Sequence, residues 1–507
     1  MSEVLSFLGL GFASLLDPMA WLIMLVGTAM GIFFGAMPGL SATTGMALML
    51  PIAYRMDVNL CMLMMAGIYS GALYGGSISA ILLGIPGTAA ALPTTFDGYP
   101  LTRKGHSKDA LLAGLYGSAM GGIFSAVVLM FLTPFIAAIA IKFGSPEMFA
   151  LGLWGISMVT SVAGGDVVKG LFMAALGLIV GTVGAAPVTG EFRFTFGSLN
   201  MISGFALVPL LLGTLALPGV MSMIETLKSD EQYFEAQKEK KWYFKLREVT
   251  AHWKTIIASS FIGTFIGIAP AAGPTMAAMV AYNTAKQSSD DPDSYGKGNV
   301  DGVWASETAN NAATGGSLVF ALSIGIPGSA AAAVLMSALV MRGIQPGPLL
   351  LTNSSDLVYT FFAGFFVVQF IVWLEGHGFV ALGAQIIKTP MTLLAPTIVV
   401  LCAVGAYSVN GMFGVYCAFG SCIVGYVLTK MKFPMSPFLL SVLLCSTIES
   451  NFWTMEAMTL GNIWIVFKRP LFIIILLIAI LSFLMPVFQS IRRKKRKAAD
   501  PSQEKRG

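Results

Sequence analysis

The sequence predicts an all-α integral membrane protein of about twelve transmembrane helices, built as two repeats that carry broken or re-entrant helices. Three observations lead there. Of 507 residues, 56% are hydrophobic and only 11% charged, against roughly 25% charged in soluble domains. Apolar runs of about 20 residues, long enough to cross a bilayer, recur along the chain. A glycine- and proline-broken apolar motif occurs twice, in the same order.

The apolar runs fall near 19–36, 40–54, 59–83, 112–141, 147–163, 168–187, 201–224, 255–284, 309–340, 356–386, 392–429 and 467–487, with another around 436–450. Hydrophilic stretches divide the chain into a first repeat half (1–224), an interfacial linker (225–254), a second repeat half (255–490) and a basic tail (491–507). The linker mixes Lys, Glu and aromatics, as in Lys238-Glu-Lys-Lys-Trp-Tyr-Phe244, which suits an amphipathic helix lying at the membrane surface. The polar segment Gln287 to Asp301 reads as a flexible loop that lengthens the second repeat. Much of the formal charge of +5 lies in Arg492-Arg-Lys-Lys-Arg-Lys497. By the positive-inside rule this tail, with Arg103, Lys104 and Lys108, is expected in the cytoplasm. A removable signal peptide is not expected, since no basic region precedes the first apolar run. Cys61, Cys402, Cys417, Cys422 and Cys445 all lie in apolar segments, where they read as small core residues.

The first copy of the motif reads Gly31-Ile-Phe-Phe-Gly35-Ala-Met-Pro38, Gly75-Gly76-Ser77 and Gly84-Ile-Pro-Gly87-Thr88. The second reads Gly263-Thr-Phe-Ile-Gly267-Ile-Ala-Pro270, Gly315-Gly316-Ser317 and Gly325-Ile-Pro-Gly328-Ser329. The three pieces recur after 232, 240 and 241 residues. The copies, 27–105 and 259–347, are expected to be related by a two-fold axis in the membrane plane, because inverted repeats exchange conformations readily.

Glycines four residues apart, from Gly27 to Gly35 and from Gly263 to Gly267, make a smooth helix face for close packing. Pro38 and Pro270 then break the hydrogen-bond ladder. Such a break is tolerated at membrane depth in protein or beside a water-filled cavity. Ser41, Thr43, Thr44 and Thr275 follow the breaks, where they can cap a new helix or touch an anion. Gly87-Thr88 and Gly328-Ser329 form helix-turn-helix tips with the hydroxyl at the N-cap, a place that favours a carboxylate. Plain packing and plain capping remain open as alternatives. Asn310 and Asn311 enter an apolar segment, where unpaired amides are costly. They offer oxygens to Na⁺, donors to a carboxylate, or hydrogen bonds to another helix. The matching stretch of the first copy, 240 residues earlier, is Tyr69-Ser70-Gly71. Asp97 and Glu307 are candidate cation or proton partners, although Asp97, followed by Gly98-Tyr-Pro100 and basic residues, also suits a water-facing position.

No phosphate-binding Gly-x-x-x-x-Gly-Lys-Ser/Thr loop occurs, so ATP-driven transport has no support. Three histidines without His-Glu-x-x-His spacing argue against a metal centre. Gly164-Gly165-Asp166 is similar to one element of intramembrane aspartyl proteases, without a second catalytic aspartate context. An enzyme is not expected.

In combination, these motifs resemble the large membrane subunit of the tripartite tricarboxylate transporter family. The resemblance covers nearly the whole chain. It is carried by Gly31-x-x-x-Gly35-x-x-Pro38-Gly39, Tyr74-Gly-Gly76, Gly84-Ile-Pro-Gly87, Asp97-Gly-Tyr-Pro100, Gly296-Lys-Gly298, Glu307-x-x-Asn310-Asn311, Gly325-Ile-Pro-Gly328 and Lys432-Phe-Pro-Met-Ser-Pro437. It implies a bacterial inner-membrane importer of di- or tricarboxylates, with a small membrane subunit, a periplasmic solute-binding protein, and a Na⁺ or H⁺ gradient as drive. No cofactor beyond the coupling ion is implied. The turns here read Pro38-Gly39-Leu40-Ser41 and Pro270-Ala271-Ala272-Gly273, each keeping one of two glycines. The substrate is expected between the tips, at Ser41, Thr43, Thr44, Gly87, Thr88, Thr275, Gly328 and Ser329. A cation is expected at Asn310, Asn311 and Glu307, with carbonyls freed at Pro38 and Pro270. A channel or scaffold subunit without ion coupling is the other reading.

Overall fold

The structure is a computed structural model that describes residues 2–37, 40–162, 167–186, 188–226, 243–244, 246–270, 272–387, 391–460 and 462–499. Pro38, Gly39 and Ala271 at the breaks, Gly164-Gly165-Asp166, most of the 225–254 linker and the end of the tail lie outside the described residues.

The chain folds into α1 (Ser2–Ser14), α2 (Pro18–Ala36), α3 (Ala42–Ala53), α4 (Val58–Leu83), α5 (Leu92–Arg103), α6 (Ser107–Ala140), α7 (Ser145–Val162), α8 (Val167–Gly181), α9 (Leu207–Leu211) and α10 (Leu217–Thr226). It continues with α11 (Leu246–Ala251), α12 (Trp253–Ile268), α13 (Gly273–Gln287), α14 (Val300–Ser323), α15 (Ala330–Met341), α16 (Leu350–Asn353), α17 (Ser355–Ile387), α18 (Met391–Lys430), α19 (Met435–Met458) and α20 (Pro470–Ala499). A π turn, Leu212–Ala216, joins α9 to α10, and α18 kinks at Asn410–Gly411. A short antiparallel ribbon pairs Gly184–Ala185 with Phe192–Arg193.

Local chemistry sets many of the ends. The Asp17 side chain accepts from the Met19 amide ahead of Pro18, and Asp57 does the same for Asn59, each satisfying an orphan donor of a helix start. Gly84 ends α4 in the left-handed region at φ 72°, which costs glycine no side-chain clash.

Among the described residues, six helices are long and apolar enough to cross a membrane: Pro18–Ala36, Val58–Leu83, Ser107–Ala140, Ser355–Ala381, Ala395–Lys430 and Pro437–Met458. Shorter apolar helices of 10–17 residues accompany them. The protein is an all-α multi-pass membrane protein. Two expected runs are split: 255–284 into α12 and α13, and 309–340 into the end of α14, a tip, and α15. Proline and glycine interrupt the ladder at both places.

Contacts divide the chain into two compact units, each made of two separate stretches of the sequence. The first, Met1–Ala140 with Ala206–Tyr426, contains both copies of the motif. In it, the α2 glycines face the α4 backbone: a β-carbon at Gly27 would come within 2.8 Å of the Met64 carbonyl oxygen. Gly31 and Gly35 would likewise strike Ile68 and Ala72, while Gly263 and Gly267 on α12 would strike Ala309 and Ala313 of α14. Close backbone packing is therefore what these glycines provide.

The second unit, Ile141–Phe205 with Val427–Gly507, is closed by ion pairs between its two pieces. Arg469 Nε lies 2.7 Å from Glu147, and Arg193 grips Glu449 with both terminal nitrogens at 2.6 and 2.9 Å. The fork-on-fork geometry of the latter suits a guanidinium and a carboxylate.

Candidate functional site

The glycine contacts also correct the register of the repeat. Ile68 and Ala309, Ala72 and Ala313, and Gly75 and Gly316 occupy matching places against α2 and α12. All are 241 residues apart, so Gly76 corresponds to Ser317, and Tyr69 and Ser70 correspond to Asn310 and Asn311. The 240-residue match of the two Gly-Gly-Ser triplets was a coincidence of sequence. A one-residue slip turns a helix by about 100° and would take the whole set off the packed face.

At both breaks the carbonyl left by the proline finds a new donor. Met37 N donates to Phe34 O at 3.3 Å and Ala269 N to Ile266 O at 3.1 Å. The tips then seat on the broken helices. Gly87 N donates to Gly76 O at 3.2 Å and Gly328 N to Ser317 O at 3.1 Å. A β-carbon at Gly87 would collide with the Gly35 carbonyl, and one at Gly328 with the Gly267 carbonyl. Only glycine permits this approach.

The helices after the breaks pair across the copies. Arg342, ending α15, donates to the Tyr54 and Met56 carbonyls at the end of α3 and lies 4.8 Å from the Tyr54 ring centre. Tyr282 of α13 donates to Asp97 of α5 at 2.8 Å and packs edge-on against Phe96. Gly273, which opens α13 at φ 59°, lies against Ser329, the cap of α15. Two helix N-termini therefore adjoin at the second tip.

Side chains distinguish the tips. Ser329 accepts from Ala332 N at 3.1 Å and caps α15. Its hydroxyl is also 2.8 Å from Tyr69 Oη, which lies 2.9 Å from Ser317 Oγ. Thr88 stands at the N-cap of a 3₁₀ turn, Ala89–Ala91, and makes no capping bond. Its Oγ1 is buried without a partner and lies over Gly76. The expected pair of capping hydroxyls is thus a cap at Ser329 alone. Ser41 caps α3 by accepting from Thr44 N at 3.1 Å, and the two hydroxyls are 2.9 Å apart. Thr43 is half-buried, Thr275 is exposed on α13, and Pro270 is buried at its break.

α14 carries the polar core. Glu307 is fully buried. It accepts from Thr94, from Ser118 at 3.1 Å and from Asn310 Nδ2 at 3.4 Å, with no cationic side chain paired to it among the described residues. Asn310 Nδ2 also donates to Leu73 O at 3.3 Å. Asn310 Oδ1 and both amide atoms of Asn311 are buried without partners. On α17, Gln369 donates to Ser70 of α4 at 3.0 Å, while its own Oε1 is unpartnered.

Asp97 does not face water. It is buried, and its Oδ1 accepts from the amides of Gly296, Gly298 and Asn299, each at 2.8 Å. This carboxylate organises the loop that the sequence suggested was flexible, using Gly296 and Gly298 at φ 84° and 99°. Asp97 is thereby a structural anchor between copies. In that loop burial, and secondarily the Asp301 charge, push the Tyr295 hydroxyl up to about 12, so it stays neutral.

Hydrogen bonds thus join Ser329 to Tyr69 and Ser317, Ser41 to Thr44, and Glu307 to Asn310. Sequence reasoning missed Thr94, Ser118 and Gln369, which are ordinary helix residues with no motif of their own. It noted Tyr69 but paired it one residue out of register.

A doubled set of broken helices around a buried polar core, in a multi-pass helical protein, defines a membrane transport component. The chain matches the Tripartite tricarboxylate transporter TctA family over residues 21–440 and belongs to it. It is similar to an uncharacterised 52.8 kDa protein in the TAR-I ttuC′ 3′ region of Agrobacterium vitis, 31% identical over 500 residues, covering 98% of this chain and 99% of that one. A second protein, in the TAR-II ttuC′ 3′ region of the same organism, is 28% identical over 234 residues, 46% of this chain and 97% of its own length. No solved structure matches.

Proposed function

We propose that this chain is the large membrane subunit of a secondary importer of small organic anions, di- or tricarboxylates. A Na⁺ or H⁺ gradient drives it, a small membrane subunit accompanies it, and a periplasmic solute-binding protein feeds it. It lies in a bacterial inner membrane with about twelve crossings, inverted repeats and a cytoplasmic C-terminus. The reading is supported by family membership and carried by one observation: the starts of α13 and α15 adjoin at a tip seated on a broken helix. Helix N-termini present N–H donors and a positive dipole end to an anion. Substrate carboxylates take donors from Thr275 and these N–H groups, with Ser41, Thr43 and Thr44 at the first break, while the Gly328 amide, given to Ser317 O, seats the tip and Ser329 caps the start of α15. No buried arginine is needed, so a multivalent anion leaves readily.

Asn310, Asn311 and Glu307 supply oxygens for the coupling ion. The cation offsets part of the substrate's charge, so each binds better with the other present. The test is uptake into proteoliposomes containing all three components, at fixed membrane potential, with Na⁺ replaced by choline at two pH values. Uptake is expected to require Na⁺ or a lower outside pH. Indifference to both would overturn the coupled carrier and favour the channel reading.

A further inference from the structure

The corrected register places unlike chemistry at equivalent points of the two tips. At the second, three hydroxyls satisfy one another: Tyr69 Oη bridges Ser317 and Ser329. Their counterparts 241 residues away are Asn310 for Tyr69, Gly76 for Ser317 and Thr88 for Ser329. At the first tip the same positions thus hold an amide, a bare backbone and one hydroxyl.

Of the polar atoms left over, Asn310 Oδ1 is an acceptor only, and Thr88 Oγ1 can accept as well as donate. The Asn310 amide cannot turn round, because its Nδ2 faces two acceptors, Leu73 O and Glu307 Oε2. Its Oδ1 therefore points away from them, and it is 0% exposed with no donor. Thr88 Oγ1, in a residue only 4% exposed, has no partner either. The Gly35 carbonyl is directed at the same tip, against Gly87. One hydrogen bond behind Asn310 stands the Glu307 carboxylate, held by neutral donors only. A buried carboxylate without a counter-charge is costly. A water would supply two donors and leave the carboxyl to be neutralised by a proton, the proton-driven outcome that the experiment below separates. An anion would add to the carboxylate charge. Asn311, with an unpartnered oxygen and an unpartnered nitrogen, suits either sign and does not discriminate.

We propose that the first tip holds a hard monovalent cation of the sodium type, liganded by Thr88 Oγ1 and Asn310 Oδ1 and balanced by Glu307. Hard cations select such oxygen donors. On the transport reading above, on which its role rests, this is the coupling-ion site. The two tips then divide the work: helix N-termini at the second face the anion, and acceptor oxygens at the first face the cation. Thr88 passes from the substrate shell to the ion shell, and the proline breaks serve packing rather than coordination.

The experiment measures ²²Na⁺ binding to the purified full chain in nanodiscs, with choline as the replacement cation. Saturable binding is expected. Thr88→Val and Asn310→Ala are each expected to weaken it about tenfold or more, the loss of one contact to a charged group. Thr88→Ser keeps the oxygen and restores binding, and Tyr69→Phe, at the other tip, leaves it unchanged. No saturable binding in the wild type, or wild-type affinity in both Thr88→Val and Asn310→Ala, overturns the site. Organic-anion uptake is assayed with the same variants in proteoliposomes that also contain the small membrane subunit and the solute-binding protein. Na⁺ binding without uptake supports the site and fails the transport reading. Uptake that persists in choline, without Na⁺ binding, overturns the site and leaves a proton-driven carrier.

Discussion

At the second tip Ser329 caps α15 and shares Tyr69 with Ser317, while at the first Thr88 lies over Gly76 with its hydroxyl unpartnered. Yet Gly328 and Gly87 donate to the same turn of the helices that lead into their tips, at 3.1 and 3.2 Å. Backbone and side chains have thus separated. The seating of each tip depends on glycine and on a carbonyl, and both copies retain it. Polar satisfaction depends on three side chains, and the copies differ in all three. A hydroxyl that is fully bonded within the protein serves structure, and a buried one without a partner costs stability.

The largest expected effect tests the shared part. Gly87→Ala and Gly328→Ala each drive a methyl into a carbonyl, which costs about 3 kcal/mol or more, since backbone cannot yield as a side chain does. Thermal unfolding of the purified protein should show equal losses. A tolerated Gly87→Ala would break the claim that the tips seat alike.

A second contrast sets Asp97 against Glu307. Asp97→Ala strips three backbone amides and Tyr282 of their acceptor. A loss of about 3 kcal/mol is expected, together with protease sensitivity in the 288–299 loop. Glu307→Gln keeps the shape and offers one acceptor, so a much smaller stability change should accompany a loss of Na⁺ binding. Equal destabilisation by both would erase the distinction between anchor and ligand.

Ser329→Ala should cost about 2 kcal/mol, from the cap and the Tyr69 contact together, and Tyr69→Phe about 1 kcal/mol. Thr88→Val is expected to leave the melting temperature unchanged or raise it slightly in the absence of Na⁺, because it replaces an unpartnered hydroxyl by a methyl of the same shape. A drop matching that of Ser329→Ala would show that Thr88 has a structural partner after all, and the comparison would fail.

Local features were legible in the sequence because they act within a few residues. Ser41 and Ser329 read as helix caps and are helix caps. The doubled Gly-Ile-Pro-Gly tips and the breaks at 37–41 and 269–272 follow from what proline and glycine do to a hydrogen-bond ladder. Low charge together with recurring apolar runs of about 20 residues already read as a multi-pass helical membrane protein. Three things waited for the tertiary structure. The register of the copies was one residue off, because similar triplets in sequence need not share a helix face, and only the contacts of Gly31, Gly35, Gly263 and Gly267 decide which residues do. The clamp of Asp97 on Gly296, Gly298 and Asn299 joins groups about 200 residues apart in sequence, and nothing local announces it. Whether a hydroxyl is satisfied depends on what faces it across the core, which separates Ser329 from Thr88 although a local reading makes them the same residue.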